Sequence, residues 1–249
     1  MYLPWLAFFD KLVRAEVFVL LDSVQFERNS FTNRNLVKTA NGPVMLTVPV
    51  GLRGHLGSTI ARTPVADDNW RRKHLKTIEQ AYARAPRAAE LMPELAELYD
   101  GRRIGGQAEG RGLVGHVCAE RLAAYGSVGE LNEQHLRFWM QTLGIKTPLV
   151  RSSDLDLAET EVGSDLILAI CRKLDADGYI SGPLGRAYID EARFARAGVD
   201  VEFQAFPHPT YQQLHGDFVA GLGIVDFVLN GGMAHQIRYA GLDKLRRSA

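Results

Sequence analysis

The densest chemistry in this sequence lies between Asp22 and Lys38. An apolar run, VFVLL, leads into Asp22 and Gln25, and Arg28, Asn33, Arg34, Asn35 and Lys38 follow closely. Arginine offers a planar bidentate fork and lysine a point charge, the two groups used to recognise carboxylates and diphosphates. Asn33, Asn35 and Gln25 carry amides that donate and accept hydrogen bonds, as orienting hydroxyls and carbonyls requires. The cluster suits an anionic ligand with many hydrogen-bonding groups, although a solvated turn uses the same residue types. Asp22, at a strand end, either initiates a turn or accepts a hydrogen bond from a sugar hydroxyl or an attacking amine.

Two further segments could contribute. His74 sits in the helical pattern WRRKHLKTIEQAYARA, with Trp70, Ile78 and Tyr82 near the same face. An imidazole there is either a packed, hydrogen-bonded residue or a general base able to deprotonate an ammonium near neutral pH. Ser181, Gly182 and Pro183, followed by Arg186 and Tyr188, stand where a strand turns into a helix. The turn could hold a phosphate or carboxylate through backbone N–H groups and Arg186, or it could be turn chemistry alone. It is not a GxSxG elbow, so Ser181 is not assigned as a nucleophile. Ser152 and Ser153 close the preceding strand and either hydrogen-bond a ligand or cap, with capping the favoured reading. Cys171 falls in the apolar stripe Ile167, Ile170, Leu174, a core position that disfavours a covalent thioester route. His208, Tyr211, Gln213 and His215 lack compact zinc spacing, and Cys118 and Cys171 form no CxxC motif, so no metal site is expected.

These groups need a scaffold. The chain has 249 residues, 46% hydrophobic and 23% charged, which suits a globular protein of one large α/β domain. Lys+Arg and Asp+Glu both total 29, so no global field recruits nucleic acid or membrane, and any anion site must be local. The apolar runs VFVLL and LILAIC are too short to span a bilayer, and no secretory n-region opens the sequence. A cytoplasmic location is expected. Helices are predicted after Pro4, from an Asn69 cap to Pro86, and in ELMPELAELYD, LNEQHLRFWMQTLG, GSDLILAICRKLDA, GRAYIDEARFARAG and GIVDFVLN. Strands are predicted in VFVLLDSV, VMLTVPVGL, PLVRSSDL, GYISG and VDVEFQAF. This alternation implies a parallel or mixed sheet flanked by helices, Rossmann-like, with ligands at the strand carboxyl ends. The domain is expected to run over 1–249. Two lobes, 1–100 and 129–249, joined by the glycine-rich segment 101–128, are the alternative division.

FTNRNLVKTANG followed by LTVPV, then Trp70 with KHLKTIEQAY, RSSDL, YISGPLGRAYID, PTYQQ and GIVDFVLNGG form an ordered set over nearly the whole chain. The set resembles the WbqC-like proteins of bacterial surface-polysaccharide (O-antigen) gene clusters. The resemblance implies aminoacyl (glycine-type) or acyl transfer that forms an amide on an amino-sugar intermediate. Arg34 and Lys38, with Arg186, would neutralise donor or nucleotide phosphates. Asn33, Asn35 and Gln25 would orient the substrate, and His74 or Asp22 would take the ammonium proton. Members of this family open with a short apolar strand ending in Gln-Pro before the motif surviving here as Tyr2-Leu3-Pro4-Trp5. Losing that strand would open a sheet and expose unpaired backbone groups beside the site, so the expectation is that the sequence starts late or that another segment fills the gap. In full form that unit is similar to the first unit of HUP nucleotidyltransferase-like folds, though no HxGH signature occurs here. The cofactor is left open, with a nucleotide (ATP or nucleotide sugar) and Mg as the candidate; oligomeric state is open too. The competing expectation is a non-catalytic nucleotide-sugar or small-ligand binding protein in a biosynthetic complex.

Overall fold

A computed structural model describes residues 1–51, 57–101, 125–158 and 161–238. Arg53, His55, Cys118 and most of the glycine-rich connection, residues 102–124, lie outside them. The architecture is mixed α/β. Helix α1 (Leu6–Arg14) buries Leu6, Phe9 and Leu12, the three-residue spacing of one helical face. Strand β1 (Phe18–Leu20) follows, then β2 (Arg34–Thr39) and β3 (Gly42–Thr47) as an antiparallel hairpin. Gly42 turns that hairpin at φ +99°, a conformation that side-chain-bearing residues rarely adopt. Helices α2 (Asn69–Tyr82), α3 (Ala88–Tyr99) and α4 (Val128–Thr142) come next, then β4 (Leu149–Arg151) and α5 (Gly163–Lys173). The chain continues through β5 (Gly178–Ser181), α6 (Glu191–Arg196), β6 (Asp200–Phe203), α7 (Ile224–Leu229) and α8 (Ala234–Arg238).

Three local details differ from the sequence expectations. The polar run Arg34–Thr39 is a strand, paired residue by residue with Gly42–Thr47, and Asn35, Val37 and Lys38 in it are buried. Helix α2 starts with Asp68 at the N-cap and Asn69 already inside, and it ends at Tyr82, ahead of Pro86. The segment GRAYIDEARFARAG does not form one helix. A 3-10 turn over Pro183–Ala187 comes first, and α6 begins only where the Asp190 carboxylate accepts the Arg193 N–H at 3.0 Å.

The largest core cluster runs from Tyr2 to Ile237 and draws on α1 to α4, the hairpin and α7. Two smaller clusters lie around α5. The parallel pair β1–β4 aligns Phe18 with Leu149 and Leu20 with Arg151, and the parallel pair β5–β6 aligns Gly178 with Asp200. Helix α5 packs on both pairs, and Leu21 touches both of its clusters. Helix α1 also reaches both. Its Phe8 ring lies 5.0 Å from that of Phe18, and Arg14 ion-pairs with Glu202 of β6 and with Asp10. Gln204, just past β6, donates to the Ala7 carbonyl at 2.7 Å and to Asp10 at 2.6 Å. Among the described residues β1 pairs only with β4 and β5 only with β6. A cleft lies between the two pairs.

Candidate functional site

The cleft measures about 2090 Å³ and is bordered by Val17–Asp22 along β1 and by Gly178–Ile180 along β5. Ile167, Ile170, Cys171 and Leu174 of α5 give it an apolar wall. At the carboxyl ends of the strands its lining becomes polar, with Asp22, Thr32, Asn132, Gly182 and Tyr188. This is where ligands settle in open α/β sheets, because the connecting loops there diverge and leave a crevice. A smaller cavity of about 540 Å³ is lined by Ser23, Gln25, Glu27, Glu161 and Val162, and shares Thr32 and Ile60 with the main cleft.

Asp22 is buried and fully engaged. Its carboxylate accepts from Arg151 Nε at 2.7 Å, the Ser153 N–H at 2.9 Å, Ser153 Oγ at 3.0 Å and Ser152 Oγ at 3.2 Å. An ionised carboxylate has about four acceptor positions, and here all are used. Ser152 Oγ in turn accepts the Asp22 and Ser23 N–H groups at 3.0 Å each. The two strand ends β1 and β4 are thereby clamped, so Ser152 and Ser153 act as caps. Arg151 lies 3.9 Å from Glu133 and so brings α4 beside this clamp. The Asp22 carbonyl accepts the Ala61 N–H at 2.9 Å, and a Cβ on Gly129 of α4 would stand 2.9 Å from Ala61 Cα. Only glycine permits that approach.

The β5 turn forms the opposite side of the mouth. Ser181 is fully buried, and its Oγ donates to the Gly182 carbonyl at 3.1 Å. Gly185 packs so closely on Ser181 that a Cβ there would overlap its Oγ. Arg186 is exposed, its guanidinium 4.3 Å from the centre of the Phe203 ring, and Tyr188 is 53% exposed. Of the residues singled out in the sequence, Asp22, Gly182 and Tyr188 line this cleft, and Arg186 stands on its rim over the lining residue Phe203.

The hairpin residues do not line it. Asn33 donates to the Val48 carbonyl at 2.7 Å. Asn35 donates to the Leu3 carbonyl at 2.6 Å and accepts the Leu36 N–H at 2.8 Å, which anchors Leu3 in its φ +44° conformation. Arg34 donates to the side chain and carbonyl of Asn29. Lys38 is buried and donates to Gln213 Oε1 at 2.8 Å and to the Asp217 carbonyl. Behind it stands Asp226, fully buried, which accepts from Tyr82 OH at 2.8 Å and Tyr211 OH at 2.7 Å. Burial pushes the Asp226 carboxyl up, opposed by the two tyrosine hydrogen bonds and the charge of Lys38. This polar core gives the PTYQQ and VDF segments a structural task that their spacing alone does not reveal.

His74 is 6% exposed and belongs to an aromatic nest. Its Nδ1 lies 2.9 Å from Tyr2 OH, which touches Tyr99 OH at 2.5 Å. Trp70, Tyr125 and His135 complete the nest, with Tyr125 OH 3.4 Å from His135 Nε2. Burial pulls His74 down to about 4, partly offset by a hydrogen bond to the Thr47 backbone, and pulls His135 down to about 3. Sequence reasoning overlooked two cleft residues. His235 of α8 is an exposed imidazole on the lining, and Asn132 of α4 is 1% exposed. Neither sits in a recognisable motif, so only the packing of α4 and α8 brings them to the cleft. Among the described residues no group of three or more His, Cys, Asp or Glu could hold a metal ion, and no helix is long and apolar enough to cross a membrane.

Fold and cleft together define an α/β protein with a ligand-sized hollow at the ends of parallel strands. The sequence matches the WbqC-like protein family over residues 1–104 and 113–237, and the chain belongs to that family. It is also similar to the uncharacterized protein Rv1507c of Mycobacterium tuberculosis, 28% identical over 232 residues that cover 93% of this chain and 90% of the relative. No solved structure matches it at a significant level.

Proposed function

We propose that this chain is an enzyme of surface-glycan assembly that forms an amide on an amino-sugar intermediate, using an activated aminoacyl or acyl donor. The observation that carries the reading is the mouth of the interstrand cleft. There an apolar wall meets a polar rim made by Asn132, Gly182 and Tyr188, with Arg186 exposed above it. Most of the rate enhancement would come from positioning two reactants there, because no covalent nucleophile lines the rim. The sugar amine attacks the donor carbonyl, the N–C bond forms, the donor's leaving group departs, and one ammonium proton is lost. With Asp22 saturated by four hydrogen bonds, His235 is the imidazole on the cleft lining that can accept that proton. Arg186 would pair with donor or nucleotide phosphate, and Mg bound to such a nucleotide would travel with it.

One observation favours a second reading, a non-catalytic nucleotide-sugar binding protein. Both groups that the sequence offers as bases, Asp22 and His74, are held in hydrogen bonds inside the fold. Incubation with UDP- or dTDP-amino sugars, ATP and glycine, followed by mass spectrometry, separates the two. A sugar heavier by one glycyl residue, lost in Arg186→Ala and retained in Arg34→Ala, supports the enzyme. Saturable binding without conversion supports the binding protein, and absence of binding removes both.

A further inference from the structure

One amine on the cleft lining has no counter-charge. Among the described residues Lys11 of α1 is the lysine that lines the cleft, and it is half-buried there. Its Nζ makes no ion pair and no hydrogen bond with any described residue, and stands 5.7 Å from the centre of the Phe8 ring. The acidic neighbour Asp10 is engaged elsewhere, by Arg14 at 3.5 Å and by Gln204 at 2.6 Å. The other described lysines are placed differently. Lys73, Lys76, Lys146 and Lys173 are exposed, and Lys38 is held by Gln213 and the Asp217 carbonyl.

The surroundings select the chemistry. Phe8 packs on Phe18 at the start of β1, and Lys11 lies one turn further along α1 toward Arg14, so the amine is away from the mouth and beside apolar rings. A lysine with only a structural task carries its ammonium out to water along its apolar stem. Here burial lowers the proton affinity of the amine below its ordinary value, and Asp10 is the charge that opposes the fall. The other ionisable groups of the lining do not restore it. Glu202 is taken by Arg14, and Glu16, Asp175, Asp177, Asp200 and His235 add nothing to the opposing charge. A desolvated lysine that keeps its lone pair is the form that attacks carbonyl carbon. The neighbouring cation Arg14 is already paired, so a neutral carbonyl compound suits this place better than an anionic acyl donor.

We propose that Lys11 is a covalent binding site for a small neutral aldehyde or ketone, such as an open-chain sugar, which its amine captures as an imine. Nζ attacks the carbonyl carbon, the N–C bond forms, both Nζ protons pass to the carbonyl oxygen, and that oxygen leaves as water. No oxidant or reductant is consumed, and water reverses the step. The site is separate from the mouth of the cleft and does not depend on the amide-forming reading.

The test treats the full chain at pH 7 with glycolaldehyde and cyanoborohydride, which reduces an imine to a stable secondary amine. Tandem mass spectrometry of the digested chain then locates the label. Lys11 is expected to be labelled about tenfold faster, or more, than the exposed Lys73, Lys76, Lys146 and Lys173. Lys11→Arg, its fold checked by circular dichroism, should lose the fast label while the exposed lysines react as before. The preference for Lys11 should shrink at about pH 10, where exposed amines also become neutral. It should vanish in concentrated urea, where the cleft is gone. Labelling of Lys11 no faster than that of the exposed lysines overturns the proposal. So does a preference that is equal at both pH values or survives in urea, because it then does not come from burial in the cleft. Each of these failures leaves the amide-forming reading of the mouth standing.

Discussion

The nest of Tyr2, Trp70, His74, Tyr99, Tyr125 and His135 should make this fold sensitive to mild acid, such as a fall from pH 7 to pH 5. In the folded chain burial holds His74 at about 4 and His135 at about 3, the latter lowered further by the charge of His74; the ordinary value is 6.5. Both values lie below the ordinary one, so the folded state binds fewer protons than the unfolded chain once the pH drops below 6.5. Stability is therefore complete above that value, declines as the pH falls, and levels off below the folded values. Each tenfold change in proton affinity is worth about 1.4 kcal/mol, and integration from pH 7 to pH 5 gives about 2 kcal/mol for each imidazole. Together about 4 kcal/mol is lost, a large share of the ~5–15 kcal/mol that holds a typical domain. Urea unfolding followed by tryptophan fluorescence at pH 7, 6 and 5 measures it. With a denaturant slope of about 1–3 kcal/mol per molar, the midpoint should fall by at least about 1 M. His135→Phe keeps the ring packing and removes one titration, so its decline should be about half as large. A midpoint that does not move between pH 7 and 5, or a variant that declines as steeply as the wild type, would rule out the buried imidazoles as the acid-sensitive groups.

Two further outcomes follow from the clamp at the strand ends. Asp22→Ala strips four hydrogen bonds and leaves Arg151 with the looser 3.9 Å contact to Glu133, so urea unfolding should report a loss of about 3 kcal/mol, with Asp22→Asn losing less. Gly129→Ala pushes a Cβ against the Ala61 backbone; overpacking costs about 1–3 kcal/mol against a helix-propensity gain of about 1 kcal/mol. The net loss should come with weaker nucleotide-sugar binding, since Asn132 moves with the start of α4, and an unchanged affinity would separate Gly129 from the site.

The order of residues alone was enough for the α/β alternation, the family and the burial of Cys171. Those follow from local periodicity and from an ordered series of motifs, which survive without knowledge of contacts. It also located the strand-end residues Gly182, Arg186 and Tyr188, because a turn between strand and helix is written in Ser-Gly-Pro itself. It could not tell that Asn33, Asn35 and Lys38 point inward. Polar residues in a short strand read as solvent-facing until the hairpin is packed against α7 and the Tyr82 hydroxyl. Nor could it separate Asp22 the clamp from Asp22 the base, for the four donors that saturate it arrive from β4 and the turn after it, far along the chain. That Asn132 and His235 share a cleft with the β1 and β5 ends was settled by packing in three dimensions. The reason is physical: a site of this kind is made by surfaces meeting, and the spacing of residues along a chain carries no record of which surfaces meet.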